Sequence, residues 1–154
     1  MININVIVKE KKWFKFLKNP ENYLKKKIKK IQKDKIFKKN VKFNFSILLS
    51  NSNSIKLLNK KFRKKNKSTD VLSFPFYEKK KLNRIIKKEK EVYLGDIIIN
   101  YSKLKKNSKK KQFVQHLDKL WVHALLHLFG HKHRKNLDFK RMNMLEKKFM
   151  NKLV

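Results

Sequence analysis

Residues 113–133 read FVQHLDKLWVHALLHLFGHKH, and this stretch sets the frame for the rest of the chain. Phe113, Leu117, Leu120, Trp121, Ala124 and Leu128 recur at three- and four-residue steps, the spacing that lines one face of an α-helix. The helical pattern begins near Lys109 and runs to Phe129. Gly130 then stands where a helix needs a residue tolerant of positive φ to end it.

Moving outward, Val92 to Asn100 is the clearest strand, with Gly95 as a bulge or a point of close approach. Residues 77–91 are mostly charged and read as an exposed loop or a long hairpin arm. Val71 to Phe76 reads as a short strand, and Pro75 puts it at a sheet edge or near its own end. Asn53 or Ser54 is placed to cap a helix carrying Ile55, Leu58 and Phe62. Val41 to Leu49 alternates as a strand, and Pro20 opens a helix with Leu24, Ile28 and Ile31 on one side. Residues 1–8 alternate too, with Ile2, Ile4, Val6 and Val8 on one face. A final amphipathic helix carries Met142, Leu145, Phe149 and Leu153. The order β-α-β-α-β-β-α-α predicts an α+β (α/β-like) fold, a small mixed sheet packed with helices, over residues 1–154 as one domain.

Composition excludes several classes. Without cysteine there is no disulfide scaffold, thiolate zinc site or cysteine nucleophile. No apolar run is long enough for a membrane span, and the N-terminus lacks a signal-peptide pattern, so a cytoplasmic protein is expected. The formal net charge is +33, which suits a polyanionic partner such as nucleic acid. Only four of the 44 basic residues are arginines, and Ile, Asn and Phe are also plentiful. A bias toward A- and T-rich codons would give the same pattern, so composition alone leaves both explanations open. The arginines are more informative, because a guanidinium offers bidentate phosphate geometry.

Four of the five histidines fall within residues 123–133. His123 and His127 are i and i+4 on the predicted helix, so their imidazoles share a face and can close on one ion. With Gly130 ending the helix, His133 can fold back toward the same ion. This is the ligand spacing of the metzincin motif H-E-x-x-H-x-x-G-x-x-H, with three ligands and an open fourth position. The glutamate that serves a zinc peptidase as general base is replaced here by Ala124, so peptidase activity is not expected. His131 is i+4 from His127, but Gly130 breaks the helix before it, so His133 is the preferred third ligand. His116 reads as structural or as a partner of a ligand.

Three segments now resemble one family, the YbeY-type bacterial rRNA-maturation endoribonucleases. Residues 58–75, LNKKFRKKNKSTDVLSFP, are similar to its L-N-x-x-[YF]-R-x-x-[DN]-K-x-T-D-V-L-S-F-P run. Leu94-Gly95-Asp96-Ile97 matches its L-G-D-I strand, and residues 123–133 are similar to its H-G-x-L-H-L-x-G-Y-D-H run. Ala124 replaces a glycine, Ser68 a common proline, and His131-Lys132 a Tyr-Asp pair, while Arg134-Lys135 stand where acidic residues are common.

The resemblance implies a metal-dependent, single-strand-specific endoribonuclease in rRNA maturation, notably 16S 3′-end processing in the small subunit, and in ribosome quality control. It implies one divalent ion, zinc by preference, on His123, His127 and His133, and Arg63 as the catalytic cation. Ser73 is expected to help bind substrate, and Asp70 either orients the site or fixes its turn. Ribosomal RNA and the small ribosomal subunit are the expected partners, with no membrane and no nucleotide cofactor. The alternatives are a ribosome-assembly RNA-binding factor with a structural metal, or another zinc hydrolase.

Overall fold

The computed structural model describes residues 1–104 and 109–154. Four strands, β1 (Ile2–Val8), β2 (Lys42–Ser50), β3 (Val71–Pro75) and β4 (Glu91–Asn100), form one sheet in the order β1-β2-β4-β3. β1, β2 and β4 are parallel and β3 is antiparallel to β4. The helices are α1 (Pro20–Ile31), α2 (Ser52–Arg63), α3 (Lys79–Lys88), the short α4 (Tyr101–Leu104), α5 (Lys110–Leu128) and α6 (Asn136–Leu153). The fold is α+β, as the sequence pattern implied.

Alternation in β2 decides which face is core. Phe43, Phe45, Ile47 and Leu49 are buried, and the register sets them beside Ile2 and Ile4 on β1 and Val92, Ile97 and Ile99 on β4. The largely buried α5 packs across this face. Trp13, Tyr101 and Phe113 meet edge-on or tilted beside it, with ring centroids 5.6 to 6.1 Å apart. Burying each such side chain fully contributes on the order of 1.5–3 kcal/mol. The opposite face is covered more sparsely. There α2 lays Ile55 and Leu58 over Leu48, Leu72, Phe74 and Ile98.

Three expectations need correction. Residues 79–88 form α3, where a loop or hairpin arm was expected. Leu82 is its buried contact, with Ile85 and Ile86 packing partly against the core, so an apolar stripe was present among the lysines. The cap of α2 is Asn51, whose side chain accepts from Ser54 N, rather than Asn53 or Ser54. On the same helix Phe62 points outward, and Asn59, i+4 from Ile55, takes the buried position. Its amide donates to the Lys67 carbonyl at 2.8 Å, which makes burial of a polar group tolerable.

Gly95 meets both expectations for it. The β2–β4 register slips between Asn44 and Phe45, and Gly95 adopts φ +134. A Cβ there would lie 2.1 Å from the Phe74 carbonyl oxygen. The edge strand β3 therefore sits closer to β4 than any other residue at this point would allow.

Two buried carboxylates tie the helices together. Asp118 on α5 accepts from the Tyr23 hydroxyl and the Trp121 indole, each at 2.9 Å, and pairs with Lys27 at 3.0 Å. Asp34, after α1, pairs with Lys148 and Lys152 of α6 at 2.8 Å each. Burial would raise the Asp34 carboxyl, but these lysines and the Ile36 N–H hold it down at about 2. A carboxyl whose folded pKa is depressed stabilises fully above its unfolded value, and the contribution is lost as pH falls through the folded one. Stability is therefore expected to drop between about pH 4 and about pH 2. Asp34→Asn is expected to lower stability at neutral pH by ~1–2 kcal/mol and to flatten that acid limb. Urea denaturation across this pH range checks both.

Candidate metal centre

The centre begins with the way α5 ends. Gly130, at φ +83, donates its N–H to the His127 carbonyl at 2.9 Å, and His131 donates to the Leu126 carbonyl at 3.1 Å. These two bonds form a Schellman turn, which satisfies carbonyls the helix would leave open. The turn reverses the chain, so the residues after it come back beside the last helical turn. Gly130 also faces Lys79 at the start of α3, and a Cβ on it would lie 2.7 Å from the Lys79 Cβ.

This reversal brings His133 to the two helical histidines. The ring centroids of His123, His127 and His133 lie 4.6, 4.8 and 5.4 Å apart, and one ligand nitrogen from each falls within 4.8 Å of the others. His123 and His127 are half-buried and His133 is exposed. His131 is not in the cluster; its contribution is its backbone. The His131 carbonyl lies 2.8 Å from His127 Nδ1, and a carbonyl only accepts, so that nitrogen carries the proton. His116 sits half-buried on α5 outside the cleft.

His123 is oriented from α6. Its Nδ1 contacts Glu146 Oε1. Burial alone would raise the Glu146 carboxyl, yet the bond with His123 and the nearby Lys119 hold it below the ordinary carboxylate range. Burial pushes the His127 imidazole down to about 4, and the charges of His123, His133 and Arg63 add to this, against the His131 carbonyl. His127 is thus neutral at physiological pH, with its lone pair on Nε2. That atom is 3.0 Å from His123 Nε2. With both Nδ1 atoms turned outward to acceptors, two ligand nitrogens this close need a cation between them, a proton or a metal ion. Two nitrogens bound to one tetrahedral zinc at about 2.05 Å lie about 3.3 Å apart, close to what is seen. The donor set therefore fits a divalent metal, and the outward partners fix the tautomers that ligation requires.

Opposite the trio lies the loop between α2 and β3. The cleft between them is about 700 Å³ and is lined by cations: Arg63, Lys65, Lys132 and Arg134. Arg63 Nη2 donates to the Ser73 carbonyl at 2.8 Å, which fixes the guanidinium at the β3 edge. Ser73 is buried at the wall of the cleft, and it holds Arg63 through its backbone. Asp70 Oδ1 accepts from the Val71 N–H at 2.8 Å and the Thr69 hydroxyl at 3.2 Å, which favours the turn-fixing role. Behind this loop the Asn100 amide nitrogen, with its two protons, lies 2.9 to 3.0 Å from the Ser52 and Ser68 hydroxyls and the Thr69 carbonyl. Ala124 lies against the trio, with no side chain able to take a proton.

Sequence spacing found the three imidazoles and the family resemblance pointed to Arg63; neither reached Glu146, Asn59 or Asn100. Only the recurrence of Leu145 and Phe149 around Glu146, marking it as helical, was available as a signal for the first.

Three imidazoles at the end of a central helix, faced by a guanidinium across a cationic cleft, define a class: small α+β proteins able to hold a metal beside an anionic ligand. Within that class the chain belongs to the Endoribonuclease YbeY family, whose family model matches residues 7–154. An Endoribonuclease YbeY of Pelagibacter ubique (strain HTCC1062) is 44% identical over 149 residues, covering 92% of this chain and 90% of that protein. One from Ehrlichia canis (strain Jake) is 33% identical, covering 99% and 93%. The solution structure of TM1509 from Thermotoga maritima aligns with a TM-score of 0.55 at 29% identity, covering 99% of this chain and 89% of that one.

Because Gly130 combines positive φ with a 2.7 Å approach to Lys79, Gly130→Ala is expected to cost ~1–3 kcal/mol of stability, read by chemical denaturation.

Proposed function

We propose that this chain is a metal-dependent endoribonuclease that cleaves single-stranded RNA. His123, His127 and His133 hold one zinc ion and Arg63 acts on the scissile phosphate. The reading includes maturation of the small-subunit rRNA 3′ end and ribosome quality control, in the cytoplasm, with the small ribosomal subunit as partner. The carrying observation is the 3.0 Å approach of two imidazole nitrogens whose other nitrogens are both engaged outward. Family membership supports the RNA substrate. Among the described residues no helix is long and apolar enough to cross a membrane.

A divalent ion at this site supplies Lewis acidity toward a phosphoryl oxygen and lowers the pKa of a bound water. The chain's residues do the remainder. Arg63, held by the Ser73 carbonyl, keeps N–H donors for a phosphate oxygen and stabilises charge as it develops there. Lys65, Lys132 and Arg134 attract the neighbouring phosphates. Ala124 leaves the space beside the ligands free of the glutamate a peptidase needs.

A chelator is expected to abolish cleavage of single-stranded RNA, and added zinc to restore it. His123→Ala and Arg63→Ala are each expected to lower the cleavage rate by ~100-fold or more while most RNA affinity remains. Variants that are folded and cleave like the parent would overturn the assignment. Glu146→Gln keeps the shape and removes the charge behind His123; it is expected to weaken zinc affinity by ~10- to 100-fold with folding unchanged. Competition with a chromophoric chelator measures this without reference to activity.

A further inference from the structure

A second recess lies on the opposite face of β3 from the histidine cleft. It encloses about 550 Å³, and its walls include Leu58, Phe62, Phe74 and Ile98, with Ser46 and Asp96 beside them. Phe62 is 59% exposed although it is a large apolar residue on a helix whose inner face is buried. Its ring meets that of Phe74 at 5.4 Å.

Arg63 links the two recesses. Its Nη2 donates to the Ser73 carbonyl on the cleft side, and its guanidinium carbon is 5.8 Å from the centre of the Phe74 ring. β3 is an edge strand, so a nucleic-acid strand can cross it from one recess to the other. The end of α2 is built for such a strand. Lys60, Lys61, Arg63, Lys64 and Lys65 flank Phe62 in the sequence, and Lys61 Nζ is 5.3 Å from its ring centre. Cations interleaved with an exposed aromatic ring track a backbone and stack a base.

The polar groups of the recess have the opposite character. Asp96 accepts from the Tyr93 hydroxyl at 2.6 Å, which also lies 3.2 Å from Ser46 Oγ. A carboxylate repels a phosphate but accepts from the N–H groups on a base edge. Charge thus sorts the ligand: phosphates along α2, a base in the recess.

We propose that this recess is a nucleobase subsite of the RNA substrate. One unstacked base close to the scissile phosphate packs against Phe62 and Phe74, and its backbone passes Arg63 over the β3 edge. The inference rests on the RNA-cleaving reading above and adds the place where the strand is gripped through a base.

The test compares two ligands on the full chain in a His123→Ala background, in which cleavage is slow enough for binding to be measured. One is a 12-nucleotide single-stranded RNA; the other is a ribose-phosphate strand of the same length without bases. Phe62→Ala is expected to weaken RNA binding by roughly 5- to 150-fold, the effect of losing one base stack, and to leave the abasic strand unchanged. Phe62→Tyr is expected to restore RNA affinity. Equal losses on both strands, or no loss on either, overturn the subsite. Cleavage by the parent chain separates the two claims. A parent that neither binds nor cleaves RNA overturns the RNA-cleaving reading and the subsite with it. A parent that cleaves while Phe62→Ala binds as before overturns the subsite alone.

Discussion

The reversal at Gly130 is the constraint on which the centre depends. A helix presents i and i+4 side chains on one face, so α5 can offer two imidazoles from its own geometry. A third ligand from the same direction needs the chain to turn back within a few residues. The Schellman turn does this, and one of its residues does more. The His131 carbonyl, freed from helical bonding, becomes the acceptor that fixes the His127 tautomer. Backbone rule and ligand chemistry thus meet in one turn, which explains why the side chain of His131 can stay out of the cluster.

Around that turn the few carboxylates are used where a cationic chain needs them. Asp34 and Asp118 are buried and gather lysines from α1 and α6, and Glu146 stands behind a ligand. The cations of the cleft and of the α2 terminus have no such partner among the described residues. This arrangement separates two populations of lysine that composition could not distinguish: those neutralised within the fold and those with no carboxylate beside them.

Much of this was legible from the sequence because it rests on local rules. Pro20 and Gly130 marked helix ends, alternation in β2 marked the core face, and His123-x3-His127 marked a shared helix face. The parts that were not legible depend on distant partners. α3 was hidden because its apolar stripe of Leu82, Ile85 and Ile86 is short and diluted by lysines. Glu146 belongs to a helix whose docking on α5 no local pattern specifies. Phe62 was assigned to a buried face because periodicity reports spacing alone, and at that end of α2 the sheet beneath gives way to the open recess.

Gly95 shows how far a small vacancy can reach. The carbonyl that holds Arg63 belongs to β3, and β3 can approach β4 so closely only because one methyl-sized volume is missing from the partner strand. The aim of the guanidinium therefore follows the spacing of the two backbones, passed on through the one carbonyl to which it donates. A residue far along the chain acts as a shim, and its thickness, which is nothing, sets the alignment of the two halves of the cleft.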